Sequence, residues 1–136
     1  MNLRLPFYAF MILIAAVGCD QQTSPVTKAL KQADSINIRF SNTTIDNLST
    51  DKNAIQKLAN FIGRKEKELP LDCEIKPSGM ILFYQKGQLL QEVTFTTLSQ
   101  KCRYFITRLN NQPVYTEVGN EAADFLTAIQ QGKSSY

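Results

Sequence analysis

Three cysteines and a scatter of carboxylates are the groups in this chain that could do chemistry, and the residue that most often assists them is missing. The cysteines are Cys19, Cys73 and Cys102, and there is no histidine. A thiol can carry a lipid, close a disulfide, attack a carbonyl or bind a metal; two acids facing across a cleft can cleave a glycosidic bond. Without histidine the chain lacks the commonest general base, proton shuttle and transition-metal ligand. Asp72 and Glu74 flank Cys73 and project together if that stretch is extended, which makes them the best local acid pair. Glu92, Glu117, Glu121 and Asp124 are the other acids of interest. A serine elbow, a glycine-rich phosphate loop and a calcium loop are all absent from the sequence. No motif supports an enzyme, and no cofactor or metal is implied.

Cys19 has a distinctive setting. Arg4 gives a positive start, residues 7–17 form a continuous apolar run, and Ala16-Val17-Gly18 leads into the cysteine with small residues. This is the three-part pattern of an export signal, and the run is shorter than the roughly 20 apolar residues of a membrane span. Ala16, Val17, Gly18 and Cys19 resemble the lipobox of bacterial lipoproteins, with Gly18 and Cys19 matching its commonest residues. The resemblance implies cleavage before Cys19, diacylglycerol on its thiol, and a mature chain exported and anchored to a bacterial membrane. It covers the signal alone and says nothing of the domain that follows.

That address bears on the other two thiols. In an oxidising compartment, with Cys19 given to lipid, Cys73 and Cys102 form an even pair and are expected to bridge. A redox pair would usually show the closer CxxC spacing, and a metal site would need further ligands. In the chain-entropy model, closing a loop of about 30 residues contributes roughly 3.5 kcal/mol.

The 136 residues are 43% hydrophobic and 20% charged, which suits one folded domain. A net charge of +3, with both signs interspersed, gives no basic face for nucleic acid. The expected organisation is a signal peptide over residues 1–18, a lipidated cysteine and tether over 19–34, one domain over 35–132 and a tail over 133–136.

Several elements must position these groups. Residues 26–33 can form a turn or two of helix. Residues 35–40 alternate Ile36, Ile38 and Phe40 with polar neighbours, the period of a half-buried strand, and 41–45 read as a turn or short strand. A helix is predicted over 51–62, with an apolar stripe of Ala54, Ile55, Leu58, Ala59 and Ile62, a cap at Ser49 or Thr50, and a left-handed stop at Gly63. Residues 64–68 read as a solvated connection. Residues 80–85 and 88–97 flank Lys86-Gly87 as a hairpin that pairs Tyr84 with Leu89. A regular hairpin of that register puts Met80, Leu82, Tyr84, Leu89, Val93 and Phe95 on one face, and Ile81, Phe83 and Leu90 on the other. A second hairpin spans 102–109 and 114–118 around Asn110-Asn111, and a last helix spans 121–131, capped by Asn120.

The fold class expected is α+β: a mainly antiparallel sheet of four to five strands, two helices on one face, and one disulfide. Function is expected to be binding or assembly with another envelope protein. The expected partner surface is the second apolar face of the hairpin, Ile81, Phe83 and Leu90, together with the aromatic cluster Tyr104, Phe105 and Tyr115. The alternatives are an envelope hydrolase working through carboxylates, and an immunity or inhibitor lipoprotein.

Overall fold

A computed structural model describes residues 24–133; the signal, the lipid site at Cys19 and residues 134–136 lie outside the described residues. The elements run α1 (Pro25–Leu30), β1 (Ser35–Phe40), β2 (Asp46–Ser49), α2 (Lys52–Ile62), β3 (Gly79–Gln85), β4 (Gln88–Phe95), β5 (Tyr104–Leu109), β6 (Gln112–Glu117) and α3 (Asn120–Gln130). The fold is α+β with one antiparallel sheet in the order β2-β1-β3-β4-β5-β6. Among the described residues it has six strands where four to five were expected, and three helices where two were.

The extra helix and strand have local causes. Ser24 caps α1 by accepting the Thr27 N–H at 3.1 Å, Pro25 sits in its first turn, and Val26 and Leu30 are buried one turn apart. α1 is therefore part of the core, and the folded unit includes residues that the sequence assigned to the tether. β2, at Asp46–Ser49, lies just beyond residues 41–45, where a turn or short strand was expected. Only Ser49 of its four residues is buried, so it carries no apolar alternation to mark it.

α2 forms as its stripe requires, with all five stripe residues and Phe61 buried. Its cap is Asp51, whose Oδ1 accepts from the N–H groups of Asn53 at 2.7 Å and Ala54 at 3.3 Å. Ser49 supports that cap by accepting the Asp51 N–H at 3.1 Å. Gly63 ends the helix at φ −81°, outside the left-handed region. Its role is close approach: a Cβ there would lie 1.5 Å from Thr27 Oγ1, so glycine is what lets α1 dock on α2. α3 begins at Asn120, with Gly119 in the cap position and no side-chain cap. The Asn120 side-chain Oδ1 accepts from the Arg103 guanidinium instead, at 2.9 Å.

Both hairpin turns use the left-handed residues expected of them: Lys86 at φ 50° with Gly87 at 77°, and Asn110 at 51° with Asn111 at 63°. The first hairpin pairs Tyr84 with Leu89, yet the register slips between Phe83 and Tyr84, so that Phe83 faces Gln91. Leu90 is the extra residue of this β-bulge. One added residue turns the rest of β4 over, so Val93 aligns with Ile81 and Phe95 with Gly79. Val93 and Phe95 therefore share a face with Ile81 and Phe83, not with Met80 and Leu82 as a regular hairpin would have it.

The core lies on that face. Ile36, Ile38, Phe40, Ile81, Phe83, Val93, Phe95 and Phe105 meet Val26, Leu30, Ile55, Leu58, Ile62, Leu126 and Ile129 from the helices. Edge-on contacts join Phe40 to Phe95 and Phe61 to Phe125, with centroids 5.6 and 6.1 Å apart. Each fully buried Ile or Phe contributes about 1.5–3 kcal/mol relative to exposure.

Gly79 is a point of close approach within the sheet. A Cβ there would lie 2.3 Å from the Arg39 carbonyl oxygen and 2.5 Å from the Phe95 ring. Gly79→Ala is expected to cost about 2–3 kcal/mol by overpacking. Gly87→Ala, where nothing lies within 4 Å, is expected to cost only about 1 kcal/mol through its positive φ. Denaturant melts of the two variants check the ranking.

Candidate functional site

Three helices cover one side of the sheet and leave the other without a helix or strand upon it, among the described residues. The pairing registers define what that open face presents. One row crosses all six strands: Asp46, Arg39, Met80, Thr94, Ile106 and Tyr115. The next row holds Leu48, Asn37, Leu82 and Glu92. Met80, Ile106 and Tyr115 are half-buried, Leu48 is 69% exposed, and the ion pair of Arg39 and Asp46, at 3.0 Å, closes one end of the first row. Apolar residues thus occupy the middle of this face, with charges closing one end.

Beside this row is a groove of about 380 Å³, lined by Arg39, Met80 and Thr94 of the row and by Phe40, Thr43 and Pro77 from the strand ends. In the second row Asn37 is buried, and its Oδ1 has no hydrogen-bond partner among the described residues. An unpaired buried oxygen costs about 1–3 kcal/mol.

The expected partner residues divide between the two faces. Ile81, Phe83 and Phe105 are completely buried in the helix-covered core. They offer nothing to a partner, and that part of the expected surface is withdrawn; the bulge at Leu90 and the helices above it are the physical reason. Tyr104 faces the open side but is largely buried, aligned with Glu117 of β6. Tyr115 stays accessible in the long row, and Leu90 is 38% exposed at the bulge. The residues that sequence reasoning missed are Arg39, Asn37, Met80 and Ile106. Their alternation along the strands was visible, but the side left uncovered was not.

Residues 64–78 form a strap rather than a free connection. Glu66 bridges to Thr116, and the Lys67 N–H donates to the Tyr115 carbonyl at 2.8 Å, so the strap covers the outer edge of β6. The Lys67 ammonium pairs with the Glu117 carboxylate. Further on, Cys73 is disulfide-bonded to Cys102, with their Cα atoms 5.5 Å apart, which fastens the strap to the approach to β5. The bridge expected from the sequence is present.

The carboxylates are dispersed. Glu74 reaches Lys76 at 3.6 Å and Glu121 reaches Lys57 at 3.9 Å, all with well-exposed side chains. Asp72 is exposed beside Glu74, and Glu92 lies open on the sheet face. A cavity of about 310 Å³ is lined by Arg64, Lys65, Lys67, Glu117 and Gly119, with the Glu117 carboxylate taken up by Lys67. Among the described residues no three cysteine, aspartate or glutamate side chains are grouped to hold a metal ion, and no helix is long and apolar enough to cross a membrane.

Comparison with known proteins finds no family model, no curated protein and no solved structure that matches this chain.

Two predictions follow from the strap. Replacing both Cys73 and Cys102 with Ser should lower stability by about 3.5 kcal/mol in the chain-entropy model, read as a fall in the denaturation midpoint. The second concerns pH. The hydrogen bond from Lys67, then its charge, holds the Glu117 carboxyl below its ordinary value, and the same contact raises Lys67. The Glu117 contribution to stability is thus present above the ordinary carboxylate value and lost as pH falls through the lowered one. The Lys67 contribution is present below the ordinary lysine value and lost as pH rises through the raised one. In a carboxyl NMR titration, the Glu117 midpoint should move up toward the ordinary range in Lys67→Met, with Arg103 and Arg64 still holding it down in part.

Proposed function

We propose that this chain is a lipid-anchored protein of the bacterial envelope that works by binding, and that the open face of its sheet receives a protein partner. The observation that carries this reading is the row from Arg39 to Tyr115, with Met80 and Ile106 half-buried at its centre and no helix over it among the described residues. A sheet face with an apolar middle and a charged rim gains by excluding water with a second surface.

The anchor rests on Ala16 to Cys19, and it would hold the domain close to one membrane. Accessory subunits and inhibitors both work through such a surface, and the identity of the partner decides between them. Catalysis by carboxylates finds less support, since Glu74, Glu117 and Glu121 lie in exposed ion pairs.

Crosslinking and mass spectrometry of the full chain in native membranes test the proposal. Met80→Arg and Ile106→Arg are expected to reduce recovery of a specific partner at least tenfold, because a central apolar anchor is worth about 2 kcal/mol or more. Thermal melts should show both variants still folded. Partner recovery unchanged by both substitutions would remove the open face from the reading. Cys19→Ala should release the chain from the membrane fraction, which tests the anchor separately.

A further inference from the structure

The two outer edges of the sheet are treated differently. The edge of β6 is covered by the strap through Glu66 and Lys67. Among the described residues β2 pairs only with β1, and beside its outer edge Ile45 and Leu48 are 67% and 69% exposed. An uncovered edge flanked by exposed apolar side chains invites another strand.

Which backbone groups point outward can be worked out. Ser41 N–H donates to the Ser78 carbonyl, so the odd-numbered residues of β1 bond toward β3 and the even-numbered ones toward β2. The Ile38 carbonyl accordingly accepts from Asn47 Nδ2 at 3.1 Å. Asn47 and Ser49, aligned with Ile38 and Ile36, then turn their backbone groups inward. Asp46 and Leu48 present theirs to the open edge, and Thr50 is the next residue of that parity, just past the end of β2.

The geometry points to a second copy of this chain as the occupant, with β2 pairing antiparallel to β2 about a two-fold axis at Leu48. This deepens the reading of the open face as a binding surface and uses the lipid anchor for orientation. Any two-fold axis centred on a residue of the edge joins outward groups to outward groups. A register centred on Asn47 sets each Leu48 against an Asp46 carboxylate, and one centred on Ser49 sets each Leu48 against a Thr50. The register centred on Leu48 sets Leu48 against itself and each Asp46 against a Thr50, so apolar meets apolar and the like charges stand apart. It alone pairs the two leucines, and it is favoured.

The symmetry also agrees with the anchor. A two-fold axis normal to the sheet keeps the helices of both copies on one side and both open faces on the other. α1, which follows the tether, lies on the helix side, with Thr27 Oγ1 donating to the Ala59 carbonyl at 3.4 Å. Both lipids can then enter one membrane. So short an edge buries far less than the roughly 1,200 Å² of a stable interface, so pairing depends on the raised effective concentration of chains confined to one surface.

Leu48→Cys in the full chain, expressed with its own signal, tests this. Under mild oxidation of membranes it is expected to give at least ten times more disulfide dimer than Leu89→Cys, an exposed control on the first hairpin. Mixed Asp46→Cys and Thr50→Cys chains should give more heterodimer than either gives homodimer. An intact Cys73–Cys102 bridge in each variant confirms the fold. Equal dimer from Leu48→Cys and Leu89→Cys, or a Leu48→Cys adduct with a different protein in place of the dimer, overturns the proposal. In the Cys19→Ala background the Leu48 dimer should return at high protein concentration. A wild-type chain absent from the membrane fraction would instead sink the anchor, leaving the concentrated sample to judge the pairing.

Discussion

Between Phe83 and Tyr84 the pairing with β4 slips by one residue, and the two faces of the sheet differ because of it. Without the extra residue at Leu90, Val93 and Phe95 would lie beside Met80 and Leu82, away from the helices. With it, they close the core against Ile81, Phe40 and the helical stripes. Burying a Phe and a Val contributes a few kcal/mol, a sizeable part of the 5–15 kcal/mol that holds a domain folded. The same slip leaves Thr94 and Glu92 beside Met80 and Leu82, which makes the opposite face a mixture of polar and apolar groups instead of a second core.

Other features protect that arrangement. Gly79 lets Phe95 and the β1 backbone close on one point, and Gly63 lets α1 reach α2. The disulfide secures the strap, which has no regular structure of its own beyond the Glu66 bridge. Lys57 lies over the ring of Phe125 at 5.2 Å, and Arg64 over that of Phe61 at 5.5 Å, so the outer surfaces of α2 and α3 are sealed by cations. The helix layer is thus finished on its outside, while the sheet is not.

What could be read from the sequence was local. The stripe of α2 follows from spacing within one segment, the Lys86-Gly87 and Asn110-Asn111 turns from their residue types, and the Cys73–Cys102 bridge from the count of thiols. The bulge could not be read, because nearly every position from Met80 to Tyr84 is apolar and either register buries something. That ambiguity carried over to the site: Ile81 and Phe83 were assigned to a partner, whereas the bulge gave them to the core. β2 was missed because strand pairing with β1, not its own pattern, makes it a strand. Gly63 looked like a left-handed stop because its contact with Thr27 is long-range, and sequence reports no such distance.

The division of the sheet separates the residues that make the protein fold from those free to make contacts. Ile38, Ile81, Val93 and Phe95 cannot change without opening a cavity, so the helix face is bound by packing. Met80, Ile106, Tyr115 and Leu48 touch the same backbone from the other side and contribute little to that packing. A surface of this kind can change its chemistry to suit a partner while the scaffold stays as it is. Asn37, Leu82 and Tyr104 are the exceptions, buried on the open face without a helix over them among the described residues. Asn37 and Leu82 sit in the row that ends at Leu48, so a desolvated part of the open face adjoins the edge that the strap leaves bare. Pairing at that edge would extend the row across two copies, turning a face of one small domain into a continuous surface of twice the width.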